Sequence, residues 1–268
     1  MLIVFRRAGR LVGHSRSAAL ALTLLLIATP LSSGAMAADI NVLTVRAFKP
    51  LLLDIARSFQ GATGNTLTIA SDSTGGVTAR VVRGGEEIDL VVLPAEAMGS
   101  LANQGKIMAD TMAPVAKSGI GVVVKKGEPL PDISTVEAFK STMLAVPSFA
   151  YIDPESRSLD GTYLANLFDR LGIAAAIHRK AVLVPFGQVA ARVDNGEAAM
   201  ALQQINELQA VQGVTLVGPL PKELQFYTAY AAGVPVAARL PVAAKALLAF
   251  LRTDAATRAL TARGFERP

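Results

Sequence analysis

The segment Ser71–Gly76 combines three hydroxyl side chains with two glycines, in the order SDSTGG. It follows an apolar run with strand character and precedes a stretch with helical spacing. Free backbone N–H groups and the helix dipole at such a junction favour a negatively charged ligand. We therefore expect an anion-binding segment here, made by Ser71, Asp72, Ser73, Thr74 and Gly75. A capped turn without any ligand would use the same residue types.

Two charged residues, Arg46 near this segment and Asp72 within it, determine what kind of anion the segment could bind. Arg46 follows the first predicted strand, where its guanidinium could bind a carboxylate through two hydrogen bonds, with Ala47 beside it. A solvated surface arginine is the alternative interpretation. Asp72 would repel an anion unless it caps the helix or carries a proton.

A second candidate segment is Asp160-Gly161-Thr162-Tyr163, at the predicted start of another helix. Asp160 or Thr162 could act only as the helix N-cap, which is the commonest role for these residue types. Gly161 allows a ligand to approach the backbone closely. The Tyr163 hydroxyl could donate a hydrogen bond into a site, or the ring could simply pack.

Several other chemistries are excluded or disfavoured by composition. The chain has no cysteine, so disulfides, thiol catalysis and thiolate zinc sites are excluded. His178 is the only histidine after the predicted leader. The sequence contains no G-x-S-x-G motif, no phosphate-binding loop and no spaced metal-ligand cluster. We predict no metal and no cofactor. Nucleic acid is not an expected partner, because no basic run occurs beyond the leader.

The N-terminal residues have the features of a cleavable secretory signal. Four arginines (Arg6, Arg7, Arg10 and Arg16) precede an apolar run over 18–30, and Ala35-Met36-Ala37 supplies small residues for cleavage. A membrane anchor needs about 18 or more apolar residues, which is longer than this run. We predict a signal peptide over residues 1–37 and a periplasmic protein. Removing the four arginines leaves 22 basic and 21 acidic side chains.

Short apolar runs alternate with helical stretches along the rest of the chain, which predicts an α/β fold with mostly parallel sheets. The spacing predicts helices over 51–63, 162–171, 241–251 and 254–263, a strand over 143–146 and a loop over 147–161. Two βαβ blocks stand in series, and the last helices have no strands nearby to cover. We expect them to return to the first block, giving lobe 1 (38–117 and 231–268), lobe 2 (118–230) and a hinge with two crossings.

These segments resemble the type II periplasmic solute-binding proteins, in particular their molybdate-binding branch. The resemblance covers nearly all of the mature chain. It rests on the following segments, which occur in this order: NVLTVRAFKPLLLDIARSFQGATGN, ASDSTGG, EEIDLVVLPAEAMGSLANQGKI, LDGTYLANLFDRLGI and DNGEAAMALQQINEL. It implies a monomer of two Rossmann-like lobes that binds a small anion between them and delivers it to an ABC permease.

The chain departs from the molybdate pattern at four positions. Ala47 replaces a serine, Asp72 replaces the middle serine of the hydroxyl run, Gln204 replaces a tyrosine, and Phe186 replaces a small apolar residue. Ala47 removes a hydroxyl, Asp72 adds a carboxylate, and Arg46 lies nearby in the sequence. These changes suit a larger organic carboxylate better than molybdate. We therefore expect a carboxylate receptor first, with a true molybdate or oxyanion binder as another alternative.

The chain also resembles the aconitate isomerase built on this fold. Such an enzyme moves a proton along an allylic tricarboxylate without a cofactor, and so it needs an anion grip and one acid–base group. The resemblance leaves Asp72, Tyr163 and Glu207 open as carriers of that proton. A carboxylate in a closed cleft has its pKa raised towards neutrality.

Overall fold

The computed structural model describes residues 37–156 and 158–268, so residues 1–36 of the predicted signal peptide lie outside the described residues. The described chain forms nine strands and ten α-helices. The strands are β1 (Asp39–Val45), β2 (Thr66–Asp72), β3 (Leu90–Pro94), β4 (Ala113–Lys125), β5 (Phe149–Ile152), β6 (Ala181–Val184), β7 (Met200–Gln204), β8 (Val214–Pro219) and β9 (Tyr227–Gly233). The helices are α1 (Lys49–Thr63), α2 (Thr74–Arg83), α3 (Ala95–Asn103), α4 (Val136–Ala145), α5 (Leu159–Arg170), α6 (Ala174–His178), α7 (Ala190–Asp194), α8 (Ile205–Leu208), α9 (Pro241–Phe250) and α10 (Asp254–Ala262).

The first helix shows how local sequence sets these elements. Pro50 lies in the first turn of α1, where its missing N–H costs nothing. Leu52, Ile55 and Phe59 lie on one buried face. Gly64 ends the helix in the left-handed conformation at φ 78°, which glycine adopts without strain. These features follow the predicted pattern closely.

The sheet is mixed and runs in the order β2-β1-β3-β9-β4-β7-β5-β6, with β8 beside β4. Strands β1, β2 and β3 are parallel to one another, and so are β5, β6 and β7. The long strand β4 pairs with β9 over Ala113–Gly119 and with β7 over Ile120–Val124. We call the part built on β1, β2 and β3 the first half and the part built on β5, β6 and β7 the second half. The chain enters the second half along β4 and returns along β9.

The apolar core follows the same division. One cluster draws its residues from 40–116 and again from 230–265, and two further clusters lie within 120–224. Leu247 of α9 and Leu260 of α10 belong to the first cluster, so the C-terminal helices do pack on the first block. Strand β4 continues unbroken through residue 117. The lobe boundaries at 117/118 and 230/231 stay predictions.

Two predicted elements are wrong. The predicted strand over 143–146 is mostly the end of α4, because Phe139 and Met143 are buried one turn apart on the same helix face. The predicted loop over 147–161 contains β5, whose four residues are all buried. No α-helix in the described part of the chain is long and apolar enough to cross a membrane.

Candidate functional site

The carboxyl ends of the parallel strands form two edges. In the first half, Val45 of β1 lies opposite Asp72 of β2, and the backbone N–H of Arg46 donates to the Asp72 carbonyl at 3.1 Å. In the second half, Ile152 of β5 lies opposite Val184 of β6, with β7 on the other side of β5. The segments that follow these strands are therefore neighbours, and ligands of open α/β sheets bind at such edges.

Gln203 joins three of the segments in the second half. Its side-chain oxygen accepts from the backbone N–H of Val189 at 3.0 Å. Its amide nitrogen donates to the Gly187 carbonyl at 3.2 Å and to the carboxylate of Glu207. Only 2% of Gln203 is exposed. The amide therefore fixes the loop after β6 and the carboxyl group of α8 in one network.

Glu207 has an unusual ionisation. Burial raises the pKa of its carboxyl group to about 8, the negative charge of Asp160 adds to this rise, and the hydrogen bond from Gln203 opposes it. The residue as a whole is partly exposed nevertheless. This carboxyl group therefore favours its protonated form near neutral pH.

Asp160 is the second carboxyl group of this cluster, and only 4% of the residue is exposed. Burial raises its pKa, while hydrogen bonds from Ser158 and from backbone N–H groups at the start of α5 act in the opposite direction. The alternative in which Asp160 or Thr162 acts only as the helix N-cap is wrong. Ser158 is the N-cap of α5, and its hydroxyl accepts from the Gly161 N–H at 3.1 Å.

Gln204 and Tyr230 connect the two edges. The Tyr230 hydroxyl on β9 donates to the Gln204 side-chain oxygen at 2.7 Å, and both residues are buried. Burial, with Glu207 and Asp160 nearby, raises the pKa of Tyr230 far above its usual value. The Tyr230 ring lies 5.6 Å from that of Phe48, which follows Arg46 and Ala47. The end of β1 and the end of β7 therefore meet across Tyr230.

The predicted anion-binding segment of the first half is open to solvent. Arg46 Nη2 lies 3.2 Å from Asp72 Oδ1, with 70% and 36% of the two side chains exposed. The same carboxylate oxygen accepts from the Ser73 N–H at 2.7 Å. The N-cap of α2 is Ser73, whose hydroxyl accepts from the Gly76 N–H at 3.1 Å. The exposed start of α2, at Thr74 and Gly75, leaves backbone donors next to the guanidinium.

The structure gives the remaining predicted residues different settings. The Tyr163 hydroxyl donates to the Leu224 carbonyl at 2.9 Å and accepts from Arg170, and the ring stacks on Phe226 at 4.7 Å. These partners do not include the Asp160–Glu207 pair. Phe186 is 82% exposed in the loop after β6. Ser71 ends up partly buried within β2, and Thr162 is exposed on α5.

Sequence reasoning missed Gln203 and Tyr230, and it placed Glu207 only as one of three open alternatives. Gln203 and Glu207 are four residues apart across the junction of β7 and α8, a spacing that could have drawn attention to the pair. Tyr230 carries no comparable signal, because it comes to Gln204 from 26 residues away.

A cavity of about 570 Å³ lies away from these edges, next to Ser148, Val193 and Met200. Ser148 precedes β5 and Met200 begins β7. The cavity is therefore at the opposite edge of the second half from Gln203 and Glu207.

Comparison with known proteins places the chain among relatives. A family model of bacterial extracellular solute-binding proteins matches residues 40–266. The chain belongs to this family. An aconitate isomerase from a Pseudomonas species is 33% identical over 248 residues, covering 91% of this chain and 93% of the relative. A family of extracellular proteins supports a location outside the cytoplasm, while the signal peptide itself stays a prediction.

Solved structures share the fold. The substrate-binding domain of a putative molybdenum ABC transporter from Clostridium difficile has a TM-score of 0.74 at 17% identity, over 87% of this chain and 100% of that one. The periplasmic molybdate-binding protein of Azotobacter vinelandii has a TM-score of 0.67 at 19% identity, over 85% and 99%. The predicted α/β fold of the periplasmic-binding-protein type is confirmed.

Proposed function

We propose that this solute-binding protein is a cofactor-independent isomerase that binds aconitate between its lobes and moves one proton along it. The observation that carries the proposal is the carboxyl pair of Asp160 and Glu207 at the strand ends, in a chain one-third identical to an aconitate isomerase over nine-tenths of its length. This reverses the order expected from the sequence, in which a carboxylate receptor came first.

The reaction requires only that the protein bind the substrate and transfer one proton. Aconitate has a methylene carbon next to its carbon–carbon double bond. Removing one methylene proton lets that electron pair form a new double bond, while the old double bond opens and its far carbon takes a proton. The product is aconitate again, with the geometry of the new double bond free to be cis. One group with a pKa near the working pH can act first as base and then as acid.

The first edge of the site suits the carboxylates of such a substrate. The Arg46 guanidinium is mostly exposed, and it can bind a carboxylate through two hydrogen bonds. Beside it, the ten-residue helix α2 presents its N-terminal N–H groups and the positive end of its dipole. Asp72 is a modest competitor for Arg46, because exposed ion pairs contribute only about 0–1 kcal/mol.

Incubation of the purified protein with trans-aconitate tests the proposal. We expect cis-aconitate to form, measured by liquid chromatography, after exhaustive dialysis against a chelator. Arg46→Gln should raise the KM for aconitate, because a bidentate partner of a substrate carboxylate is lost. Arg258→Gln, an exposed arginine on α10, serves as the control and should leave KM unchanged. Tight binding of aconitate without any conversion would contradict the proposal.

A second candidate is the receptor of an ABC importer for a small organic carboxylate, and membership of a family of extracellular solute-binding proteins favours a receptor role. Calorimetric titration with aconitate, citrate, molybdate and tungstate separates the two. A receptor would bind one of these anions tightly and release it unchanged. Nanomolar binding of molybdate would instead favour the oxyanion binder.

A further inference from the structure

We propose that Glu207 is the group that carries the proton in the cleft, and that Gln203 is the residue that positions it. The inference rests on the proposed isomerase function and assigns its chemistry to particular side chains. It selects Glu207 over Asp72 and Tyr163, the two other carriers that the sequence left open.

The other titratable groups at the strand ends are already engaged. Asp72 Oδ1 is engaged by the Arg46 guanidinium and by the Ser73 N–H. The Tyr163 hydroxyl is held by the Leu224 carbonyl. The Tyr230 hydroxyl is fully buried and donates to Gln204, and losing its proton would break that bond. Each of these groups therefore already has a hydrogen-bond partner within the protein.

Of the two acidic residues that remain, Glu207 is the more exposed. Asp160 is almost wholly buried and lies at the start of α5, where backbone N–H groups favour its charged form. Glu207 is partly exposed, and one of its oxygens is held by Gln203. The adjacent Asn206 is 8% exposed, and neither polar atom of its side chain has a hydrogen-bond partner. A polar ligand beside α8 would supply what that buried amide lacks.

The step balances without any other reactant. The Glu207 carboxylate takes a proton from the methylene carbon, and the electron pair of that C–H bond becomes the new carbon–carbon double bond. The protonated Glu207 then returns the proton to the far carbon of the original double bond. Glu207 ends the cycle ionised, as it began.

The titratable groups that face Glu207 are Asp160 from α5 and Tyr230 from β9. Asp160 raises the pKa of Glu207, and the hydrogen bond from Gln203 lowers it. Because base catalysis needs the ionised form, kcat/KM should rise with pH as Glu207 loses its proton. Asp160→Asn should move this rise to lower pH, and the nearly isosteric Gln203→Met should move it to higher pH. A merely structural role would not shift the two profiles in opposite directions.

The deciding experiment compares Glu207→Gln with the wild type and with Glu137→Gln, an exposed control on α4. We expect Glu207→Gln to lose about 100- to 10,000-fold in kcat, to keep aconitate binding by calorimetry, and to keep its circular dichroism spectrum. Conversion by Glu207→Gln at the wild-type rate would overturn the assignment and leave the isomerase function standing. If the pH profiles of kcat/KM for Asp160→Asn and Gln203→Met do not shift in opposite directions, the role of Gln203 would be overturned. A wild-type protein that converts no aconitate would overturn the function and this inference together.

Discussion

The Glu207 side chain lies where its ionisation costs folding free energy. Its neighbours are the carboxyl group of Asp160 and the uncharged amide of Gln203, so the folded protein favours the protonated form. A group that lies idle in the core would gain nothing from this arrangement. At an active site, the same arrangement sets a proton affinity near the pH at which the protein works.

The stability of the protein should record this ionisation without any ligand. The pKa of Glu207 is raised from 4.5 to about 8 by folding. The stabilisation that this shift gives is complete below the unfolded value and is lost as pH rises towards the folded one. We expect Glu207→Gln to melt at higher temperature than the wild type at pH 9, by at least about 2 °C. At pH 5 the difference should be smaller.

Differential scanning calorimetry over pH 5–9 measures this effect. The exposed control Glu137→Gln should show a difference from the wild type that does not change with pH. If the melting-temperature difference for Glu207→Gln is likewise flat across this range, the pKa of Glu207 is not raised by folding.

At the scale of elements, the start of α2 depends on two adjacent glycines with different surroundings. A Cβ at Gly76 would lie 2.4 Å from Asp72 Cγ, whereas nothing lies within 4 Å of a Cβ at Gly75. The Asp72 carboxylate therefore occupies the space that any side chain at Gly76 would fill. The lack of a side chain at Gly76 thus leaves room for the Asp72 carboxylate beside Arg46 and the Ser73 N–H.

Alanine at the two positions should separate helix propensity from this contact. Gly75→Ala should stabilise the protein by about 0.5–1 kcal/mol, because alanine favours the helix. Gly76→Ala gains the same preference but must displace Asp72, so we expect it to be about 1–3 kcal/mol less stable than Gly75→Ala. Urea denaturation measures both. Equal free energies of unfolding for the two variants would show that Asp72 moves aside without cost.

The elements themselves were largely predictable from the sequence, and the site was predictable only in part. The helices predicted over 241–251 and 254–263 begin at the predicted residues and end one residue earlier, because their apolar residues recur at clear helical spacing. The end of α4 was misread because a short apolar run of four residues fits a helix and a strand equally well. Ser158 was missed as a cap because α5 begins three residues before its apolar spacing becomes clear.

At the scale of the whole molecule, the site is made by contacts between residues far apart in the chain. Arg46 and the start of α2 were predictable, since each lies beside its own strand end. The Tyr230–Gln204 hydrogen bond was not, because it depends on β9 returning beside β4 and bringing Tyr230 under the end of β7. Strand β9 therefore does more than connect the two halves, because its Tyr230 forms a hydrogen bond with Gln204 at the end of β7.

The most direct test of the account follows aconitate itself by proton nuclear magnetic resonance in deuterated buffer. With the wild-type protein, we expect the signals of the trans isomer to decrease while those of the cis isomer appear, and the methylene proton to be replaced by deuterium in part. With Glu207→Gln, the spectrum should not change over the same period. A trans-aconitate spectrum that the wild-type protein leaves unchanged, in isomer and in isotope, would contradict the central claim.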